Sequence, residues 1–310
     1  MTNSMTQVDQ VAKFLMEWSS NKDIHIFGQN ITRPSYISGI GKFLASDPKF
    51  VDGDSNFFDS TNSELSSVGY GIGRSIGGKD SLLVVKQQDF LYLAIDQFVN
   101  TLCNLPSDIN DYGEFSVLCL ISDFPYEGTQ AWSNNLSLFE SLPPSLHIAY
   151  CYNCDMLKAE LDSTDSNYRL IFLSVNYMYK SSRFNSLSRV DDDLPVWYSG
   201  LLGSKKTYIF IGFVDENFVS SIDANSTIII LQRNTFNLFE SWLISYLEQF
   251  CVQEIVIIES STSSLSVGDS LAFRISKLSD VSITTLNTRK INTDGFYLAC
   301  QSKSCEHLFL

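Results

Sequence analysis

Short uninterrupted apolar runs alternate with amphipathic stretches along this chain. IHIF (24–27), SLLVVK (81–86), FSVLCLIS (115–122), LHIAYC (146–151) and YRLIFLSV (168–175) are apolar throughout rather than at every second position. That is the signature of strands buried on both faces. Between them, VDQVAKFLMEW (8–18) places Val8, Val11, Phe14 and Leu15 on one helical face, while LSLFESL (136–142) and CDMLKAELD (154–162) read as shorter helices. FLYLAIDQFVNTL (90–102) is apolar on most sides, which predicts a buried helix. Ser, Asp, Gly and Pro break the pattern between about 180 and 206, and it restarts as TYIFIGF (207–213), STIIIL (226–231), EIVIIES (254–260) and VSITTLN (281–287). Helical stretches at 236–251 and 267–278 separate the later strands. The expected fold class is α/β with two domains, each a mostly parallel sheet flanked by helices. Residues 1–185 form the first domain, 186–206 a linker, and 207–310 a smaller second domain.

Composition narrows the function classes. A chain of 310 residues exceeds what one hydrophobic core usually supports, which agrees with two domains. No apolar run approaches the ~20 residues of a membrane span. The N-terminal sequence has neither a basic start with an apolar core nor an Arg-rich transit pattern, so a cytoplasmic location is expected. The net charge of −14, from 35 acidic and 21 basic residues without a basic cluster, argues against a nucleic-acid partner. Seven scattered cysteines suit reduced thiols. Cys151 and Cys154, with Cys300 and Cys305, have the count for a four-thiolate zinc site. The plainer reading ends a strand at Cys151 and starts a helix at Cys154, so no metal site is expected.

One stretch, STNSELSSVGYGIGRSIGG (60–78), invites a nucleotide-loop reading and fails it. Gly71-Ile-Gly73-Arg-Ser-Ile-Gly77 has one residue too many in its last gap for a dinucleotide fingerprint, and FFDSTNSE before it does not read as a buried strand. No Gly-Lys-Ser/Thr follows to make a phosphate loop. A helix fits better: Gly69, Gly73 and Gly77 are four apart, so they would share a face that lies close to a neighbouring backbone. Ser60 to Ser63 supply caps, and Glu64 falls in the first turn. By itself Glu64 is either a first-turn acid completing the cap or an acid held for chemistry.

With these residues in view, Ser63-Glu64, the glycine helix, the strand LLVVK and DFLYLAIDQFVN (89–100) resemble the beta subunit of the thiamine-diphosphate-dependent 2-oxoacid dehydrogenases, relatives of transketolase. The family pattern is a strand ending in Glu, a small-residue helix, a strand, an aromatic, then Ala-x-Asp-Gln-hydrophobic-hydrophobic-Asn. It is met here by Glu64, Phe90 and Ala94 to Asn100. FGQNI (27–31) resembles the family's Gly-Glu-Asp/Glu-Val with Gln29 in place of the acid. LPPSLHIAY (142–150) and IVIIESSTSSLSVGDSLAFRI (255–275) resemble further family stretches, so the likeness covers nearly the whole chain. It implies a thiamine-diphosphate pyrimidine-binding fold followed by a transketolase C-terminal-like domain.

The resemblance also implies chemistry. Glu64 would serve as the catalytic acid that holds N1′ of the cofactor's aminopyrimidine, Phe90 would stack on that ring, and Gln29 and Trp132 would lie in the substrate pocket. The family binds the diphosphate and Mg2+ through Gly-Asp-Gly and a downstream Asn. VDGDSN (51–56) lacks that pattern and reads as a turn. Thiamine diphosphate with Mg2+ would therefore be held mainly by an alpha-type partner subunit, in an α2β2 heterotetramer. The implied reaction is decarboxylation of a small 2-oxo acid and transfer of the resulting acyl or enamine unit to an acceptor. Where the family has His-Ser-Gln, this chain has Trp132-Ser133-Asn134. An indole cannot exchange protons near neutral pH, so the acceptor need not be lipoamide and carboligation to an aldehyde or sugar is an open outcome. The alternative is a non-catalytic structural or interaction subunit that retains the fold. Only twelve residues separate TYIFIGF from STIIIL, where the family has a full helix.

Overall fold

The computed structural model describes residues 6–20, 22–32, 37–40, 56–105, 111–121, 138–139, 142, 146–174, 184, 187–191, 194–200, 202–213, 216–233, 236–259, 267–279 and 281–287. They fall into two compact units, one built on strands β1 to β6 and the other on β7 to β12.

In the first unit the order is α1 (Gln7–Ser20), β1 (Ile24–Gly28), β2 (Phe57–Asp59), α2 (Glu64–Ile76), β3 (Asp80–Val85), α3 (Gln88–Leu91), β4 (Phe115–Ile121), β5 (His147–Cys151), α4 (Cys154–Leu161) and β6 (Tyr168–Ser174). All pairings are parallel, in the sheet order β2-β1-β3-β4-β6-β5. Every residue of β4 and β6 is buried, which is why those segments read as unbroken apolar runs. α1 lays Val8, Val11, Ala12, Leu15 and Trp18 against the core.

Two expectations change here. FFD, read as no buried strand, forms β2, a three-residue edge strand with only Phe57 buried; so short a run leaves no periodicity to detect. The run 90–102 is not one buried helix. α3 passes into a 3-10 turn at Tyr92–Ala94, a π turn at Gln97–Thr101 and a second 3-10 turn at Leu102–Asn104. Leu91, Ala94, Phe98 and Leu102 face the core, while Leu93 is 66% exposed. A helix lying on a sheet can bury one face only, so the surplus of apolar residues goes to solvent. Asn100 closes the wide turn by donating to Asp96 Oδ1 at 2.7 Å.

The second unit contains β7 (Ser188–Asp191), β8 (Leu194–Ser199), β9 (Lys206–Ile211), α5 (Glu216–Ser221), β10 (Thr227–Leu231), α6 (Phe236–Phe250), β11 (Glu254–Glu259), α7 (Val267–Leu278) and β12 (Ser282–Asn287). Its sheet runs β12-β11-β9-β10-β8-β7, parallel except for the antiparallel β10–β8 and β7–β8 pairs. The stretch 186–206, expected to be a linker, thus contributes two strands, and the second sheet matches the first in strand number. Its Ser, Asp and Pro content masked a hairpin. Trp197 on β8 donates its indole N–H to Gln232 just beyond β10, a buried tie across that antiparallel pair. The fifteen-residue link between β9 and β10 holds α5, a six-residue helix in place of a full one. Glu259, buried at the end of β11, accepts the Gly268 amide at 2.8 Å at the start of α7.

Candidate active site

The chain leaves β1 for β2 on one side, and leaves β3 for β4 on the other. Where neighbouring parallel strands send their connections in opposite directions, a crevice opens beyond their carboxyl ends, and α/β sheets bind ligands there. Gly28, the last residue of β1, makes this crevice tight. A Cβ on it would stand 2.2 Å from the Val84 carbonyl oxygen, so glycine alone lets β1 end against β3. The turn that follows is tied to β2: the Thr32 amide and hydroxyl donate to the Asp59 carboxylate at 3.0 and 2.8 Å, and the Ser60 amide donates to Gly28 O at 2.9 Å.

A pocket of about 290 Å3, open mouth included, occupies this crevice. Gln29 enters it from the end of β1, Ser60 and Thr61 from the β2–α2 link, and Glu64 and Ser67 from α2. The end of β3 contributes Leu83 to Val85 with Lys86 beyond them, and α3 contributes Phe90. Three of the four expected site residues, Gln29, Glu64 and Phe90, therefore meet in one pocket. Trp132 lies outside the described residues. Leu65, next to Glu64, is 44% exposed and does not line the pocket, whose polar wall is formed by Gln29, Ser60, Thr61, Ser67 and Lys86.

The cap of α2 is made without the Glu64 side chain. Ser63, extended at φ −150° and ψ 98°, accepts the Ser66 amide at 3.4 Å and donates its hydroxyl to Ser66 Oγ at 3.0 Å. Ser63 is the cap and Glu64 is not needed for it. The Glu64 carboxylate is half-buried and has no hydrogen bond or ion pair among the described residues. It stands free toward the pocket at the positive end of a thirteen-residue helix, where an anion is favoured.

The glycines of α2 divide differently from the expected face. A Cβ at Gly73 would meet nothing within 4 Å, and one at Gly69 would meet only the Gln97 amide at 3.6 Å. Gly71 is the packing residue: its Cβ would stand 2.1 Å from Phe115 Cε2. The buried small stripe is Ser67, Gly71 and Ser75, two residues out of register with the expected one. Small residues of two kinds, some needed for contact and some on the solvent side, look alike in sequence.

Other candidates fall away from the site. Cys151 ends β5 and Cys154 begins α4, both buried; burial pushes the Cys154 thiol up to about 11. Cys300 and Cys305 lie outside the described residues, as does His307. Among the described residues no group of His, Cys, Asp and Glu could hold a metal ion. His25 sits near the start of β1 against Tyr70, and His147 starts β5. The residue that sequence reading passed over is Lys86. Its signal was available, since a lysine that ends a buried apolar strand stands at the strand end where such sheets bind ligands.

No protein-family model matches this sequence, and no characterised protein matches it by sequence. Solved structures match it by fold. One, described as "Split gene transketolase, inactive beta4 tetramer", has a TM-score of 0.61 and 13% identity over 96% of this chain and 94% of that one. Another is a transketolase from Campylobacter jejuni subsp. jejuni NCTC 11168, with a TM-score of 0.64 and 13% identity over 99% of this chain and 46% of that one. The fold is transketolase-like. This transketolase-like chain spans about half the length of the Campylobacter enzyme. Its two α/β units, each with a mostly parallel sheet flanked by helices, are the transketolase-like architecture, and no helix among the described residues is long and apolar enough to cross a membrane.

Proposed function

We propose that this chain is a beta-type subunit that keeps a thiamine-enzyme fold, is inert by itself, and contributes the pyrimidine half of a site shared with an alpha-type subunit. The observation that carries the reading is the uncommitted, half-buried carboxylate of Glu64 in one pocket with Phe90 and Gln29. The pocket is an open crevice rather than an enclosed cavity, which suits a half-site completed by a partner better than a site that encloses a whole cofactor. Bound there, thiamine diphosphate supplies the carbon nucleophile that a 2-oxo acid needs for decarboxylation. Glu64 holds a proton at ring N1′, the face of Phe90 packs on the ring, and Gln29 offers its amide to the substrate. Mg2+ and the diphosphate fall to the partner, in an α2β2 assembly. Trp132 shapes the acceptor side, with carboligation as one transfer open to it.

A second reading is a subunit that keeps the fold and has lost the reaction. The comparisons favour it in one respect: a similar structure is described as an inactive beta4 tetramer. Both readings make the isolated chain inactive, and co-expression separates them. The chain purified with a partner carrying Gly-Asp-Gly is expected to retain thiamine diphosphate and to turn over a 2-oxo acid. Glu64→Gln then lowers turnover by about a hundredfold or more without loss of fold, because Ser63 caps the helix. A complex that binds no thiamine diphosphate leaves only the non-catalytic subunit.

A further inference from the structure

We propose that Ser67 is a ligand-contacting residue of the Glu64 pocket, and that its hydroxyl donates to a second ring nitrogen, so that the two residues together select a 1,3-diazine over a ring with one nitrogen. The proposal rests on the half-site reading above and names the residue that sets its ring specificity. Ser67 lines the pocket, is 6% exposed, and its hydroxyl makes no hydrogen bond. Trp18 Nε1 and Arg74 Nε are unpartnered atoms shut away from all open space, and Ser67 Oγ is not of that kind. Its oxygen therefore opens onto a void, and the void beside it is the pocket. A buried hydroxyl left without a partner is costly. A ligand atom removes that cost.

The neighbouring hydroxyls are committed or in solvent. Ser60 donates to Thr61 O at 3.4 Å, Ser63 donates to Ser66 Oγ at 3.0 Å, and Thr61 is exposed. Ser75, two turns beyond Ser67 in the buried stripe, donates to Gly113 O at 2.6 Å. Packing on the sheet asks for no hydroxyl at Ser67, since Gly71 in the same stripe has no side chain at all. Ser67 follows Glu64 by three residues, so the two are neighbours on one face of α2, with about 5–6 Å between their Cβ atoms. They make no hydrogen bond to each other. The long carboxylate and the short hydroxyl are thus both left to meet one ring edge. With Glu64 at one nitrogen of a ring packed on Phe90, a second nitrogen two positions round that ring accepts the Ser67 proton. A ring with carbon at that position leaves the hydroxyl unpaired.

The test uses the full chain and ligand-observed NMR with two probes, 4-amino-2,5-dimethylpyrimidine and 4-amino-2,5-dimethylpyridine. They differ only in whether a nitrogen or a CH stands between the methyl-bearing and amino-bearing carbons. Each probe is compared with itself across variants, so their unequal basicity cancels. Ser67→Ala should weaken the pyrimidine about fivefold and leave the pyridine unchanged. Without ligand, Ser67→Ala should be no less stable than the wild type in urea, because the lost oxygen bonds nothing in the protein. Equal changes for the two probes, no change for either, or a loss of stability in the ligand-free variant overturns the contact. Glu64→Gln, which should weaken both probes, keeps the two readings apart. Both affinities unchanged in Glu64→Gln, with the Ser67→Ala difference intact, sinks the acid of the half-site alone, and the reverse sinks the Ser67 contact alone. A wild-type chain that binds neither ring sinks both.

Discussion

Gly71 and Gly73 sit one half-turn apart in α2 and should respond to alanine with opposite signs. Replacing glycine by alanine inside a helix is worth about 0.5–1 kcal/mol, because the unfolded chain loses freedom. At Gly73 nothing lies within 4 Å of the added methyl, so Gly73→Ala should realise that gain in full. At Gly71 the methyl would stand 2.1, 2.5 and 2.6 Å from Cε2, Cζ and Cδ2 of Phe115. That ring is 1% exposed at the start of a fully buried strand and has nowhere to swing. Overpacking of this kind costs about 1–3 kcal/mol, which outweighs the helix gain. Gly73→Ala should therefore exceed Gly71→Ala in stability by about 1–3 kcal/mol. Native-state amide exchange of β3 and β4 under increasing urea reads the unit that contains α2 separately from the other. Gly71→Ala as stable as Gly73→Ala, within a few tenths of a kcal/mol, would refute the claim that helix and sheet meet at this glycine. Phe115→Leu supplies the check on cause, because in the Gly71→Ala background it should cost at least ~1 kcal/mol less than in the wild type.

Two further outcomes follow from charged groups in the same unit. Arg169, 1% exposed on β6, donates to Glu114 Oε2 at 3.3 Å, and Lys22 stands 3.7 Å from the same oxygen. Removing one partner of a buried pair costs about 3–5 kcal/mol. The Glu114 side chain is 27% exposed, so Glu114→Gln should lower stability by somewhat less, about 2 kcal/mol, in urea unfolding; a loss below ~0.5 kcal/mol would show Arg169 satisfied without it. His25 has its pKa lowered from 6.5, first by burial and then by the Arg74 guanidinium, and its Nδ1 pairs with the Tyr70 hydroxyl at 2.9 Å. A base depressed in the folded state contributes stability that is complete above its unfolded pKa and is lost as pH falls through the folded one. Stability should thus decline from pH 6.5 downward, before most carboxylates titrate, and His25→Phe should flatten that decline; an unchanged slope would remove His25 as its source.

The strands were legible because burial on both faces writes itself into the sequence as uninterrupted Val, Ile, Leu and Phe. β4 and β6 were placed to within a residue for that reason. β2 was not, because three residues with one buried side chain carry no period. The β7–β8 hairpin was hidden by the Ser, Asp and Pro that also mark connections, and only its pairing with β10 reveals it. That Glu64, Phe90 and Gln29 line one pocket was legible through resemblance, since a string of motifs in order carries more information than any one residue. What the string could not say was which glycine touches the sheet, or that Ser63 takes the cap and frees Glu64. Both depend on the phase of α2 about its own axis, and a four-residue glycine spacing leaves that phase open by half a turn.

One departure at the site changes its charge. The resembled pattern has an acid in the β1 turn, where this chain has the neutral amide of Gln29. The exchange makes the mouth less negative in a chain that is otherwise strongly acidic. Glu64 meanwhile has no hydrogen bond or ion pair among the described residues and stands at the helix end, where an anion is favoured. Lys86 is exposed, so leaving it unpaired costs little, whereas the half-buried carboxylate of Glu64 is the group that a ligand would relieve. The choice between an active half-site and an inert subunit therefore turns on what Glu64 binds.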